Sequence, residues 1–251
     1  MPQEFEIVKE LFKGQVLSGS IITIIYDAYS SAWMLGFAIL KKEIENGFGV
    51  ISNYNVPLQE LCRAARQVDL DIEGELKRDK LVIIDIFGSK YDVKYKRKNI
   101  FYIDSVSPEL INPKIDIIYE SYVLPMAGKE RIIRLVNTLD GTALMFGEME
   151  TLKLLNQTIA QRSKQMPDSV LILPINKDVV SKRFIGWIAG ISDYVIVAST
   201  QLNENLEEKV YLVKSPEEGF TSTVYHLWIT EEKSPGRLKA KKIGDGKPKR
   251  V

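Results

Sequence analysis

Three carboxylates stand where a sheet protein keeps its reactive groups. Asp27 follows the apolar run Ile21–Tyr26, Asp85 lies within the run Leu81–Phe87, and Glu148 comes just after Thr142–Phe146. Ligands of open α/β sheets bind at the C-terminal ends of the strands. The trio therefore reads as an acidic crest able to hold a cation or a basic partner. Short acids at such places also cap helices and turns, and that structural role is the competing reading. The segment Asp27, Ala28, Tyr29, Ser30, Ser31, Ala32, Trp33 leads from the first apolar run into a helical pattern. Backbone N–H groups at a helix start can bind an anion, which makes Tyr29, Ser30 and Ser31 candidates for phosphate contact. The plainer role of Ser31 is an N-cap. The chain has one histidine and one cysteine. His226 sits in an alternating stretch with no second histidine to share a metal or a proton. Cys62 lies with Leu58 and Leu61 on a helical face and reads as an inert buried thiol. A single cysteine excludes an intrachain disulfide and a cysteine metal cluster, and no metal site is expected.

The elements that must position these groups follow from the periodicity. Residues 5–13 read as a short amphipathic helix, and Ile21–Tyr26 as a strand covered on both faces. Ala32–Asn46 reads as a helix, Phe48–Tyr54 as a strand, Pro57 to about Val68 as a helix and Leu81–Phe87 as a strand ended by Gly88. Within residues 89–127, Ile100–Ile103 and Ile115–Tyr119 look like short strands broken up by prolines. Gly128–Leu139 reads as a helix, Thr142–Phe146 as a strand and Thr151–Gln165 as a helix. Ser169–Ile175, Asp178–Ile191 and Tyr194–Ala198 continue the strand, helix, strand alternation. Lys209–Val213 and Thr223–Thr230 flank Pro216 and Gly219 as a hairpin. Alternation of this kind predicts a mainly parallel sheet with helices on both faces. From Glu231 on the chain is polar and rich in glycine and proline, which predicts a flexible basic tail over residues 231–251. Beyond Pro235 it carries Arg237, Lys239, Lys241, Lys242, Lys247, Lys249 and Arg250 against Asp245 alone. Such a tail is either a solubilising end or a contact for nucleic-acid phosphates or anionic lipid.

The totals narrow the classes. At 251 residues and a net charge of +1 the chain is long enough for one sizeable core and carries no overall field toward nucleic acid or membrane. No apolar stretch approaches the roughly 20 residues of a spanning helix, and no signal peptide is read at the start, so the expectation is a cytoplasmic protein with no membrane partner. Abundant Ile, Lys and Glu lean toward a thermophile.

In order and spacing the segments resemble the KaiC-like branch of the RecA superfamily, in its archaeal form, over about residues 4–230. The resemblance rests on the opening Ile7 to Ser20 with strand Ile21–Ile25, on Gly49–Tyr54, on Ile185 to Val197, and on Tyr211–Lys214. It implies an α/β, three-layer RecA-like P-loop fold, a mainly parallel sheet with a C-terminal antiparallel hairpin, in one domain of residues 1–230. It also implies subunits packed edge to edge. In the family a loop G-x-x-x-x-G-K-[ST] wraps the nucleotide phosphates with backbone N–H groups and a lysine. Here Asp27–Trp33 holds no glycine and no lysine, with Ala32 or Trp33 at the lysine position. The family's second motif is an apolar strand ending in Asp. Its expected counterpart, Thr142–Phe146, is followed by Gly147 and only then by Glu148. The paired Lys and Arg of relatives reads Lys214, Ser215, Pro216. The expectation is a degenerate Walker A loop and a pseudo-ATPase with no cofactor, acting by binding a protein partner or by self-association. The alternatives are an ATPase using Mg²⁺ and a reorganised loop, and a nucleic-acid accessory protein working through the basic tail.

Overall fold

The computed structural model describes residues 7–12, 15–202, 206–229 and 238–245. The chain enters through α1 (Ile7–Leu11), an amphipathic turn that buries Ile7, Val8 and Leu11, and β1 (Ile21–Tyr26), buried along its whole length. A 3-10 turn, Ser31–Met34, runs into α2 (Leu35–Glu43), and β2 (Gly47–Asn53) follows. Then come α3 (Leu58–Arg66), α4 (Ile72–Lys77), β3 (Leu81–Asp85), α5 (Ile86–Tyr91) and β4 (Ile100–Phe101). α6 (Pro108–Ile118) passes through a π-helical turn, Tyr119–Val123, into α7 (Leu124–Ala127). The second half holds β5 (Arg131–Asn137), α8 (Leu139–Phe146), α9 (Glu148–Gln165), β6 (Val170–Asn176) and α10 (Lys182–Ile191). It closes with β7 (Tyr194–Leu202), β8 (Leu206–Lys214), β9 (Thr223–Ile229) and β10 (Leu238–Asp245).

All ten strands join one sheet in the order β10-β9-β8-β7-β1-β6-β5-β2-β3-β4. From β7 to β4 every pairing is parallel, and β7, β8, β9 and β10 pair antiparallel. One core packs α1–α4 against one face of the sheet, through Leu35, Ile39, Leu61 and Ile72. The other packs α6–α10 against the opposite face, through Ile111, Leu139, Leu155 and Phe184. The three-layer α/β arrangement is the expected one. The near-continuous apolar runs of β1, β3 and β6 are what burial on both faces demands.

Four local expectations are corrected. Gly128–Leu139 is not a helix but contains β5, and Thr142–Phe146 is not a strand but lies in α8. In Arg131–Asn137 the arginines stand three apart, which mimics a helical face. Arg134 instead lays its guanidinium over the Tyr119 ring, 5.7 Å from the centroid, and donates to Ser52 Oγ at 3.0 Å. Gly141 sits in the first turn of α8, where a Cβ would come within 3.0–3.1 Å of Asn55. Ile115–Tyr119 is helix end and π-turn, and Pro113 is accommodated on the exposed side of α6. The fourth correction concerns the tail: residues 238–245 form β10, paired with β9 from Leu238↔Ile229 to Asp245↔Thr223. The remainder of 231–251 lies outside the described residues.

Candidate functional site at the C-terminal sheet edge

Parallel register aligns the strand ends. Tyr26 of β1 faces Asn176 of β6, and Asn53 of β2 faces Asn137 of β5 on one side and Asp85 of β3 on the other. The row of aligned terminal residues is thus amide-rich with Asp85 as its one acid, not a row of carboxylates. Asp85 is 1% exposed, and its Oδ1 accepts from Asn53 Nδ2 at 2.8 Å and from Gly88 N at 3.0 Å, which caps α5. Asn53 also donates to Val56 O at 2.7 Å and accepts from Asn137 at 3.4 Å. Asp85 Oδ2 is buried without a hydrogen-bond partner. Burial pushes the Asp85 carboxyl above the usual range, against the Gly88 and Asn53 donors. A raised folded pKa means the native state holds the proton longer. The associated stability is present below the ordinary carboxylate value and is lost as pH rises through the folded value. Asp85→Asn is therefore expected to gain on the wild type as pH rises from about 4 to 7, the gain vanishing in acid. Paired thermal melts across that range check it, and a pH-independent difference would count against it.

The other two acids are also engaged. Asp27 Oδ2 accepts from Thr200 N at 2.9 Å and from Lys177 Nζ at 3.3 Å, and its Oδ1 from Tyr29 N at 3.3 Å. Burial pushes this carboxyl up, but the Thr200 and Lys177 donors outweigh it and hold it below the usual range. Asp27 thus ties β1 to β7 and to the loop after β6. Glu148 does not end a strand; it opens α9. Its two carboxylate oxygens accept from Ser181 N and Ser181 Oγ, each at 2.6 Å, fastening the start of α10. The strand beside β6 is β5, and its terminal residue is Asn137. Three residues on, Asp140 is 5% exposed and accepts from Asn176 N at 3.0 Å; burial raises its carboxyl.

The decisive group is Glu208, on β8 and 3% exposed. Its Oε2 accepts from Ser31 N at 2.9 Å, its Oε1 accepts from Ala32 N at 3.0 Å, and Ser30 Oγ donates to the same Oε1 in a short bond. A carboxylate from β8, two strands from β1 in the sheet, thus takes up the N–H groups at the helix start. The rest of the loop is closed as well. Ala28 N donates to Asp178 Oδ2 at 2.9 Å, and Ser30 N to Asp27 O at 3.0 Å. With Tyr29 N on Asp27, every N–H from Ala28 to Ala32 is satisfied within the chain. Ser30, not Ser31, is the N-cap, and Ala32 N reaches its Oγ at 3.0 Å. Trp33 packs edge-on to Phe37 at 6.3 Å, and Ala32 is fully buried. Lys214 points at the C-terminus of α10, donating to Gly190 O at 3.1 Å.

The remaining candidates are structural. His226 stacks on Trp228 at 5.5 Å, and Cys62 is buried, its thiol pushed up by desolvation. Among the described residues no cluster of His, Cys, Asp or Glu could hold a metal, and no helix is long and apolar enough to cross a membrane. What the edge does present is apolar. Tyr29, Leu144, Met149 and Val179 are exposed. The Ala28–Asp178 and Ser181–Glu148 bonds bring the loops bearing Tyr29 and Val179 and the start of α9, with Met149, together.

The fold has solved counterparts. The uncharacterized protein PH0321 from Pyrococcus horikoshii, solved in complex with an unknown peptide, superposes with a TM-score of 0.74 at 18% identity, covering 96% of this chain and 100% of that one. A KaiC-like protein, PH0186, from the hyperthermophilic archaeon Pyrococcus horikoshii OT3 superposes with a TM-score of 0.65 at 15% identity, covering 93% and 94%. No family model matches the sequence, and no curated protein matches it. The chain has the KaiC-like, RecA-type fold.

Proposed function

We propose that the chain is a non-catalytic KaiC/RecA-like protein that binds a protein partner at the C-terminal edge of its sheet. One observation carries this reading: the Glu208 carboxylate sits on the N–H groups of Ser31 and Ala32, where the fold would cradle phosphate. ATP and Mg²⁺ do not fit these residues. The loop offers no lysine, its N–H groups are spent, and Asn137 replaces the carboxylate that would hold the metal. Phosphoryl transfer rests almost wholly on positioning and charge stabilisation, and loss of one well-placed donor alone costs about 10²–10³ in rate. The exposed Tyr29, Met149 and Val179, on segments tied together, and the exposed Leu144 of α8 support a docking role, since apolar side chains gathered on a surface mark interaction sites. That PH0321 was solved with a peptide bound supports the same class of partner. The reading fits a protein of the cytoplasm.

The test is calorimetric. Titration with Mg²⁺-ATP or Mg²⁺-GTP is expected to give no binding heat, and incubation no phosphate release above background. Peptides selected on the protein from a random library are expected to lose binding to the Leu144→Glu, Met149→Glu double variant by about tenfold or more. Nucleotide turnover abolished by Ser30→Ala would overturn the reading in favour of an ATPase. Trp33→Lys alone is expected to restore neither binding nor turnover, because Glu208 still fills the seat.

A further inference from the structure

We propose that the cavity between α3, α4 and the segment preceding β4 binds a phosphate or a small phosphomonoester. It lies away from the closed loop and does not depend on the function proposed above. The cavity measures about 260 Å³, below the roughly 300–1,000 Å³ of sites for drug-sized ligands, so a compact ligand fits. Three guanidinium groups line it: Arg63 and Arg66 from α3 and Arg97 from the segment before β4. Arg63 and Arg66 stand three residues apart, the spacing that puts two side chains on one helix face. The floor is apolar, made by the buried Leu58 and Cys62. Tyr95 forms part of the wall, its backbone N–H fixed to the Tyr102 hydroxyl at 2.9 Å.

The charges do not cancel. Glu73 is the one carboxylate among the lining residues, and Arg97 holds it at 2.7 Å. Arg63 reaches Glu60 at 3.1 Å on the exposed rim. Arg66 forms no ion pair among the described residues. Two of the three cations thus have exposed partners, in pairs that water screens, and an incoming anion exchanges them at little cost. Guanidinium forks match phosphate oxygens in pairs, which an ammonium cannot do. Arginine in all three positions therefore favours a ligand that presents paired oxygens over a mere counterion. The ligand's non-phosphate part would rest on Leu58 and the Tyr95 ring.

Isothermal titration at fixed chloride, with inorganic phosphate in one arm and O-phosphoserine in the other, tests this. Saturable binding of either is expected. Tighter binding of the monoester would assign the Leu58–Tyr95 wall to the organic part, and tighter binding of phosphate would assign the site to the free ion. Arg66→Ala should weaken binding about tenfold and Arg66→Lys about threefold, with the melting temperature unchanged. Glu73→Gln should tighten it about threefold, because it removes the competing carboxylate from Arg97. No saturable heat in either arm, equal affinity in Arg66→Ala, or weaker binding in Glu73→Gln would overturn the proposal.

Discussion

Glu208→Ala is expected to melt about 6–12 °C below the wild type and to be rescued in part by inorganic phosphate. Three donors converge on this carboxylate, two of them backbone N–H groups at a helix start. Truncation leaves the Ser31 N–H without a partner in a site that is 3% exposed at Glu208. It leaves Ala32 N with Ser30 Oγ alone. An orphaned buried donor costs about 1–3 kcal/mol. With the Ser30 hydroxyl also stranded, about 3 kcal/mol is lost, at about 2–4 °C per kcal/mol for a domain of this size. The vacated seat keeps its N–H donors and the positive end of the following helix. Phosphate at tens of millimolar is therefore expected to raise the melting temperature of Glu208→Ala by several degrees more than that of the wild type at matched ionic strength. Glu208→Gln should fall between, since its amide must turn one donor toward donors. A melt within about 2 °C of the wild type for the alanine variant would mean the carboxylate does not hold the loop.

Glu208 was legible in the sequence and went unread. Glu208 alternates with Val210 and Leu212, and all three are buried on one face of β8. A carboxylate on the apolar face of an alternating strand must find donors, and the loop after β1 is the donor-rich segment that it meets. The lack of glycine and lysine in Asp27–Trp33 does not show what meets its donors, because the acceptor lies 178 residues from Ser30 along the chain. The central parallel strands were readable from apolar runs alone. β5 was not, since Arg134 interrupts its apolar pattern and buries its stem against Tyr119 instead of pointing to water. Because β5 does not read as a strand from the sequence, Asn137 and Asp140 fall outside the sequence-derived crest and Glu148 stands in their place there. Asp27, Asp85 and Glu148 lie at the C-terminal edge of the sheet or in the elements that follow it. Their roles are to cap and to fasten: Asp85 holds α5, Glu148 holds α10, and Asp27 holds β7.

Removing residues 230–251 is expected to lower the melting temperature by about 10 °C, although their composition is that of a dispensable tail. β10 hides its purpose because its outward positions carry Lys241 while Leu238 and Ala240 point inward, 8% and 2% exposed. Deleting it uncovers Leu227 and Tyr225 of β9, now 1% and 3% exposed, and loosens the contact of Tyr225 Oη with Glu10 O of α1 at 3.4 Å. Burying a leucine is worth about 1.5–3 kcal/mol. Losing Leu238 and wetting Leu227 therefore costs about 3–6 kcal/mol before the entropy regained by the freed strand is subtracted. A net loss of about 3 kcal/mol corresponds to the expected shift. Single substitutions separate a docked strand from a free one without shortening the chain. Ala240→Asp buries an unpaired charge and is expected to cost nearly as much as the truncation. Lys241→Asp, one residue on and exposed, is expected to stay within about 0.5 kcal/mol of the wild type. The alternation is the signature: if both variants melt with the wild type, the basic segment is not part of the sheet, and the edge of the fold is β9.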